Sequence, residues 1–187
     1  MKRLFLLLMT AVLFLSATCA FADGVTFSTA YFSLELPDGW EIDTDDLEKT
    51  DDSEELGFFG GETGEGFLTG GACLVYYENL KDISLWNASE EELKDYEDAL
   101  LEDFEKNNPR LIGTVMAGQI PLVIIRGDDD EGEFVYADTI TNGYAIEFEF
   151  YVTGDDNEKL LPITDQHIEQ IKTILATFRP ASDAGGN

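Results

Sequence analysis

Apolar and polar positions alternate with a period of two in "FSLELPDGW", residues 32 to 40, where Phe32, Leu34 and Leu36 are interleaved with Ser33 and Glu35. That period belongs to a strand with one buried and one wet face. Pro37, Asp38 and Gly39 supply the fixed φ, the side-chain acceptor and the positive φ of a β-turn, so Trp40 is expected to fold back onto the sheet. Upstream, "DGVTFSTAYFSLELP" gives one bent strand or two short ones. Glu41 to Glu55 carries nine acids, one lysine and few apolar residues, which predicts a solvated loop with one helical turn. Gly57 to Phe59 and Ala72 to Glu78 read as strands on either side of a flexible glycine-rich tip. The tip is acidic and returns to a strand, so it is no phosphate cradle.

The period lengthens to that of a helix between Ser89 and Asn107, with Leu93, Tyr96, Leu100 and Phe104 as its buried stripe. Ser89 with Glu92 forms a capping box, Glu90 and Glu91 suit the positive helix end, and Asn107, Asn108 and Pro109 close it. Four strands follow as a meander: "LIGTVMA", "QIPLVIIRG", "EFVYADTIT" and "YAIEFEFYVTG". Asn142-Gly143 marks a tight hairpin between the last two. In the last strand Ile146, Phe148, Phe150 and Val152 share one face, and Glu147 and Glu149 the other, which predicts a sheet exposed on one side. A second helix, about Asp165 to Phe178, presents Ile168, Ile171, Ile174, Leu175 and Phe178 at helical spacing. Strands, helix, meander and helix in that order predict an α+β fold, a mainly antiparallel sheet with helices packed on it.

The first 22 residues are set aside from this fold. Lys2 and Arg3, the apolar run Leu4 to Leu15 and Ala20-Phe21-Ala22 form an export signal with an A-x-A cleavage site, leaving Asp23 as the expected start of the mature chain. Cys19 raises lipid anchoring, but Ser16 and Thr18 stand where a lipoprotein signal has a leucine and a small residue. The chain is thus expected to be periplasmic or extracellular, with a single domain over 23 to 179 and a small, polar, disordered tail over 180 to 187. Cys73 is then the one remaining cysteine, so no internal disulfide forms, and its apolar setting "GACLVYYE" predicts an inert buried thiol.

Charge is the most unusual feature. Of 187 residues 39 are acidic and 11 basic, and loss of Lys2 and Arg3 takes the formal charge from −28 to −30. Such a field repels nucleic acid and anionic lipid and favours a protein partner with a basic surface, although it also serves plain solubility. Calcium is the chemical alternative, because hard cations take clustered oxygens. Two runs offer them: Asp43, Asp45, Asp46 and Glu48, and Asp128, Asp129, Asp130 and Glu131. Neither has the spacing of an EF-hand, and the second sits where a solvated hairpin turn is expected. His167 is the lone histidine, read as a surface residue, and no HExxH, GxSxG or CxxC occurs. No catalytic or cofactor-binding residue is therefore assigned, and a carboxylate-based hydrolase stands third behind binding and calcium.

"FSLELPDGW" near the mature start, the hairpin meander and the closing helix ending "IKTILATFRP" resemble the PsbP-like α/β/α sandwich superfamily, in particular its bacterial exported, DcrB-like members. The resemblance spans nearly the whole mature chain in order of elements. It implies an accessory or binding protein without a cofactor, and it brings no catalytic or ligand residue with it.

Overall fold

The computed structural model describes residues 24–29, 31–43, 53–64, 66–86, 88–141, 143–154 and 160–180. The expected export signal, Asp45, Asp46 and Glu48 of the first acidic run, and the tail from 181 lie outside them. The fold is α+β, and among the described residues it has eleven strands in two sheets and two α-helices. The small sheet joins β1 (Val25–Ser28), β2 (Phe32–Leu36) and β11 (Arg179–Pro180) in the order β1-β2-β11. The large sheet runs β3 (Glu41–Asp43), β4 (Ser53–Thr63), β5 (Gly66–Tyr76), β9 (Tyr144–Thr153), β8 (Glu133–Thr141), β7 (Ile120–Asp128), β6 (Arg110–Ala117), with β10 (Leu160–Leu161) beside the end of β9. The pairings between neighbours are antiparallel.

Period two sorts the large sheet into two faces. On the inner face Leu122, Ile124, Val135, Ala137, Ile146, Phe148, Phe150 and Val152 join one core with the small sheet and with helix α2 (Asp165–Leu175). Its centre is aromatic: Phe59 lies 5.0 Å from Phe27, 6.0 Å from Phe150 and 6.2 Å from Trp40 between ring centroids. On the outer face Val123 and Ile125 pack under helix α1 (Glu90–Asp103), against Leu100 with Leu93, Tyr96 and Phe104 at the margin. The two helices therefore lie on opposite faces of one sheet.

Local signals set the helix ends. At α1 the Ser89 hydroxyl accepts from the Glu92 N–H and the Glu92 carboxylate accepts from the Ser89 N–H, the reciprocal box that the sequence predicts. The α-helix stops at Asp103. A 3₁₀ turn covers Glu105–Asn107, and Asn108 takes a left-handed φ of 50°.

Four expectations need correction. The acidic stretch is not all loop, because Glu41–Asp43 and the residues from Ser53 pair as β3 and β4. The glycine-rich segment is not a loose tip but two 11-residue strands joined by a short turn. Its glycines are there for space: a Cβ on Gly61 would fall 2.4 Å from the Trp40 indole, and one on Gly70 would fall 2.7 Å from the rings of Phe59 and Phe150. Pro180, expected in the tail, pairs with Phe32 beside the Arg179–Ser33 pair. Cys73 is half-buried rather than buried, on the outer sheet face opposite Glu147.

Candidate functional site

Helix α1 packs on the β7–β8 side of the outer face, Leu80 and Leu85 cover Ala145 of β9 and Val75 of β5, and the β9–β5 surface from Glu147 and Cys73 onward stays open. β9 points Ala145, Glu147, Glu149 and Tyr151 outward, and the register sets Cys73, Gly71 and Thr69 of β5 beside the last three. Gly71 removes a side chain from the middle of this surface. A depression of about 200 Å³ lies there, lined by Gly71, Cys73, Tyr136, Glu147, Glu149 and Tyr151. Tyr136 and Glu147 also line a larger cleft of about 400 Å³ at the edge of α1, with Tyr77, Asn79, Tyr96, Asp103, Phe104 and Asp138.

The cleft is built around a buried carboxylate. Asp138 is 4% exposed, and its two oxygens accept hydrogen bonds from the Tyr96 hydroxyl of α1 and, at 3.2 Å, from the Tyr136 hydroxyl two residues along β8. Glu147 stands directly across the β8–β9 ladder from Asp138. Like charges in that position repel. Burial, opposed by the Tyr96 hydrogen bond and reinforced by the charge of Glu147, pushes the Asp138 carboxyl up to about 7. Burial also raises Glu147, and it raises Glu149 with help from Asp129 and Glu131. The hydroxyls of Tyr96 and Tyr136 are driven upward, chiefly by burial and then by Asp138, so both remain donors. Desolvation and then the charges of Glu147 and Asp138 raise Tyr77 in the same way.

Among the described residues no basic side chain lines this cleft. Elsewhere Lys81 pairs with Glu78, Lys94 with Asp98, Lys172 with Glu169, and Arg126 with Glu133 at 2.6 Å. The arrangement can thus hold or release a proton near neutrality, and it can accept a cation between aromatic rings and carboxylates.

None of this group was assigned from the sequence, although one signal pointed to it. The expected tight hairpin between the last two strands implies a register, and with Thr141 paired to Tyr144, equal steps back along both strands bring Asp138 opposite Glu147; Asn142 itself lies outside the described residues. Burial of Asp138 could not be read this way, because it depends on α1 delivering Tyr96.

The residues that were singled out lie elsewhere. Asp128, Asp129, Asp130 and Glu131 are exposed in the β7–β8 turn. There Asp129 Oδ1 accepts from the N–H groups of Glu131 and Gly132, at 2.8 and 3.0 Å, and Asp128 Oδ2 accepts from the Asn108 side chain. The carboxylates thus serve the turn. Asp43 ends β3 at the opposite side of the large sheet, and no group of three His, Cys, Asp or Glu among the described residues is placed to hold a metal ion. Sodium chloride is expected to raise the melting temperature by screening. Magnesium should match calcium over the millimolar range, and Asp128→Asn with Asp130→Asn should leave the calcium effect unchanged. A saturable, calcium-selective shift lost in that variant would establish a dedicated site.

His167 is not a surface residue but 1% exposed, because it is the third residue of α2 and completes that helix's cap. Its Nδ1 accepts from the Thr164 N–H at 3.2 Å, while its Nε2 lies 3.1 Å from the Thr63 hydroxyl. Thr63 in turn donates to the Gly66 carbonyl at 2.9 Å, which fits a neutral ring carrying its proton on Nε2. The histidine ties the β4–β5 turn to α2.

Compared with known proteins, the chain matches no protein-family model and no curated protein. Among solved structures it is similar to a chain from Bacteroides thetaiotaomicron VPI-5482, known from a crystal structure at 1.50 Å resolution. Sequence identity is 14%, the TM-score is 0.43, and the match covers 88% of this chain and 51% of that one, so the chain spans about half the length of its structural neighbour. A likeness of that degree leaves function to be argued from the cleft.

Proposed function

We propose that this chain is an exported, non-enzymatic binding or accessory protein whose partner presents a basic surface to the open half of the outer sheet face. The observation that carries the reading is the cleft of Tyr77, Tyr96, Tyr136, Asp138 and Glu147, where carboxylates converge and, among the described residues, no lining residue is basic. The acidic balance of the whole chain and the resemblance to the PsbP-like superfamily support it. Exposed Tyr76, Tyr77, Ile83 and Trp86 on the neighbouring segment add apolar contact area of the kind that anchors interfaces. That segment is held to the β8–β9 hairpin by the bonds from Tyr77 N–H to Gly143 and from Leu85 N–H to Ile140.

The test is the salt dependence of association with the native partner, once that partner is purified. Affinity should fall at least tenfold between about 50 and 500 mM sodium chloride, and Glu147→Gln with Glu149→Gln should reduce the fall. Salt-insensitive association would overturn the reading and place the contact on an apolar surface. A second reading, acid–base catalysis by a carboxylate pair, is favoured by the opposition of Asp138 and Glu147 with both carboxyls raised. Turnover of a hydrolase substrate that Asp138→Asn abolishes would establish it.

A further inference from the structure

We infer that the cleft at the edge of helix α1 is a receptor for a single arginine side chain of the partner, with the guanidinium against Glu147 and its plane on the surrounding tyrosine rings. This deepens the binding function proposed above and rests on it. The argument starts from the lining. Tyr77, Tyr96, Phe104 and Tyr136 give aromatic walls, and Asp138 and Glu147 on the sheet, with Asp103 at the exposed rim on α1, give the charge. A volume of about 400 Å³ admits one long side chain and excludes a folded element.

Asp138 is buried with both oxygens accepting from Tyr96 and Tyr136, so it contributes charge from behind, and Glu147, half-buried and also hydrogen-bonded with Tyr136, makes the contact. An arriving cation between the cross-strand carboxylates turns their repulsion into attraction for the ligand. Walls of this kind select the guanidinium over the ammonium ion. The guanidinium is planar, more weakly hydrated and able to stack on rings while its N–H groups fork onto a carboxylate, whereas a lysine must shed a tightly held hydration shell. Because the proton held near neutrality by the carboxyl pair opposes the cation, binding releases it, and affinity rises with pH.

Three blocked tripeptides, differing only in a central arginine, lysine or citrulline, test this on the intact protein by NMR titration. Citrulline keeps the planar shape and lacks the charge. The arginine peptide should bind saturably and shift the Tyr77 and Tyr136 resonances, the lysine peptide about fivefold or more weakly, and the citrulline peptide not measurably. Affinity for arginine should rise between pH 6 and pH 8. Glu147→Gln should weaken it about tenfold, whereas Glu90→Gln with Glu91→Gln, at the exposed start of α1, should leave it within about twofold. Equal binding of lysine and arginine, or equal losses in both variants, would show only the general field of an acidic protein and overturn the inference. Absence of saturation overturns it too. If the arginine peptide fails while the native partner still binds in a salt-dependent way, the single-arginine receptor alone is lost. If partner binding ignores salt, the broader reading fails independently.

Discussion

Trp40→Ala is expected to destabilise the protein by about 3–5 kcal/mol, the range for emptying a buried aromatic site. Trp40 is 5% exposed and closes one end of the aromatic core over Phe59 and Gly61. The same contact makes a paired prediction. Gly61→Ala alone puts a methyl group into the indole and should cost about 1–3 kcal/mol by overpacking. In the Trp40→Ala background that methyl group enters vacated space, and the added cost should vanish. Urea melts of the parent, both single variants and the double variant measure the coupling. Additive losses would mean that Gly61 is required for its backbone and not for the room it leaves.

Stability should fall as pH rises from about 4 to about 7, and Asp138→Asn should remove most of that fall. Folding raises the Asp138 carboxyl from its ordinary value near 4 to about 7, so within this window the native state holds a proton that the unfolded chain has lost. Below the window both states are protonated and the penalty is absent; above it both are ionised and the penalty is complete. Its size is on the order of 4 kcal/mol. Glu147 and Glu149, raised by the same burial, act with the same sign. Asparagine keeps the shape and can still accept from Tyr96, so at pH 8 the variant should be at least as stable as the parent. Parallel pH profiles for the two proteins would show that the carboxylate is ionised throughout and held by its tyrosines.

The four-strand meander and both helices were legible because their signals are local and repeated: alternation in "YAIEFEFYV", the box of Ser89 and Glu92, the isoleucines of the closing helix. The expected burial of Trp40 also holds, but for a different reason: the Pro37-Asp38-Gly39 turn, with Gly39 at φ 79°, passes the chain from the small sheet to the large one, where the indole packs over Phe59 and Gly61. What escaped was decided by partners distant in sequence. Glycines at 60, 61 and 70 read as a loose tip because glycine is a poor strand former, yet two of them make room for aromatic rings delivered from Trp40 and Phe150. His167 read as exposed because its type usually is, and burial follows from its place at the third position of a cap under the β4–β5 turn. The cleft was half legible. Its cross-strand carboxylate pair follows from the hairpin, but the tyrosine from α1 belongs to packing that periodicity does not encode.

Strand β2 has a consequence for the order of folding events. It is held between β1, which starts at Val25 just upstream, and β11, where Arg179 meets Ser33 and Thr177 bonds both the N–H and the carbonyl of Glu35 across 142 residues. The small sheet therefore cannot close until nearly the whole chain is available, and the aromatic core beneath it has no lid until then. Loop closure over that span is slow compared with the local hairpins of the meander. For a chain proposed to be exported, this placement defers commitment: a polypeptide whose last strand has not yet arrived can form hairpins but not the native core, so completion of the fold waits for that strand.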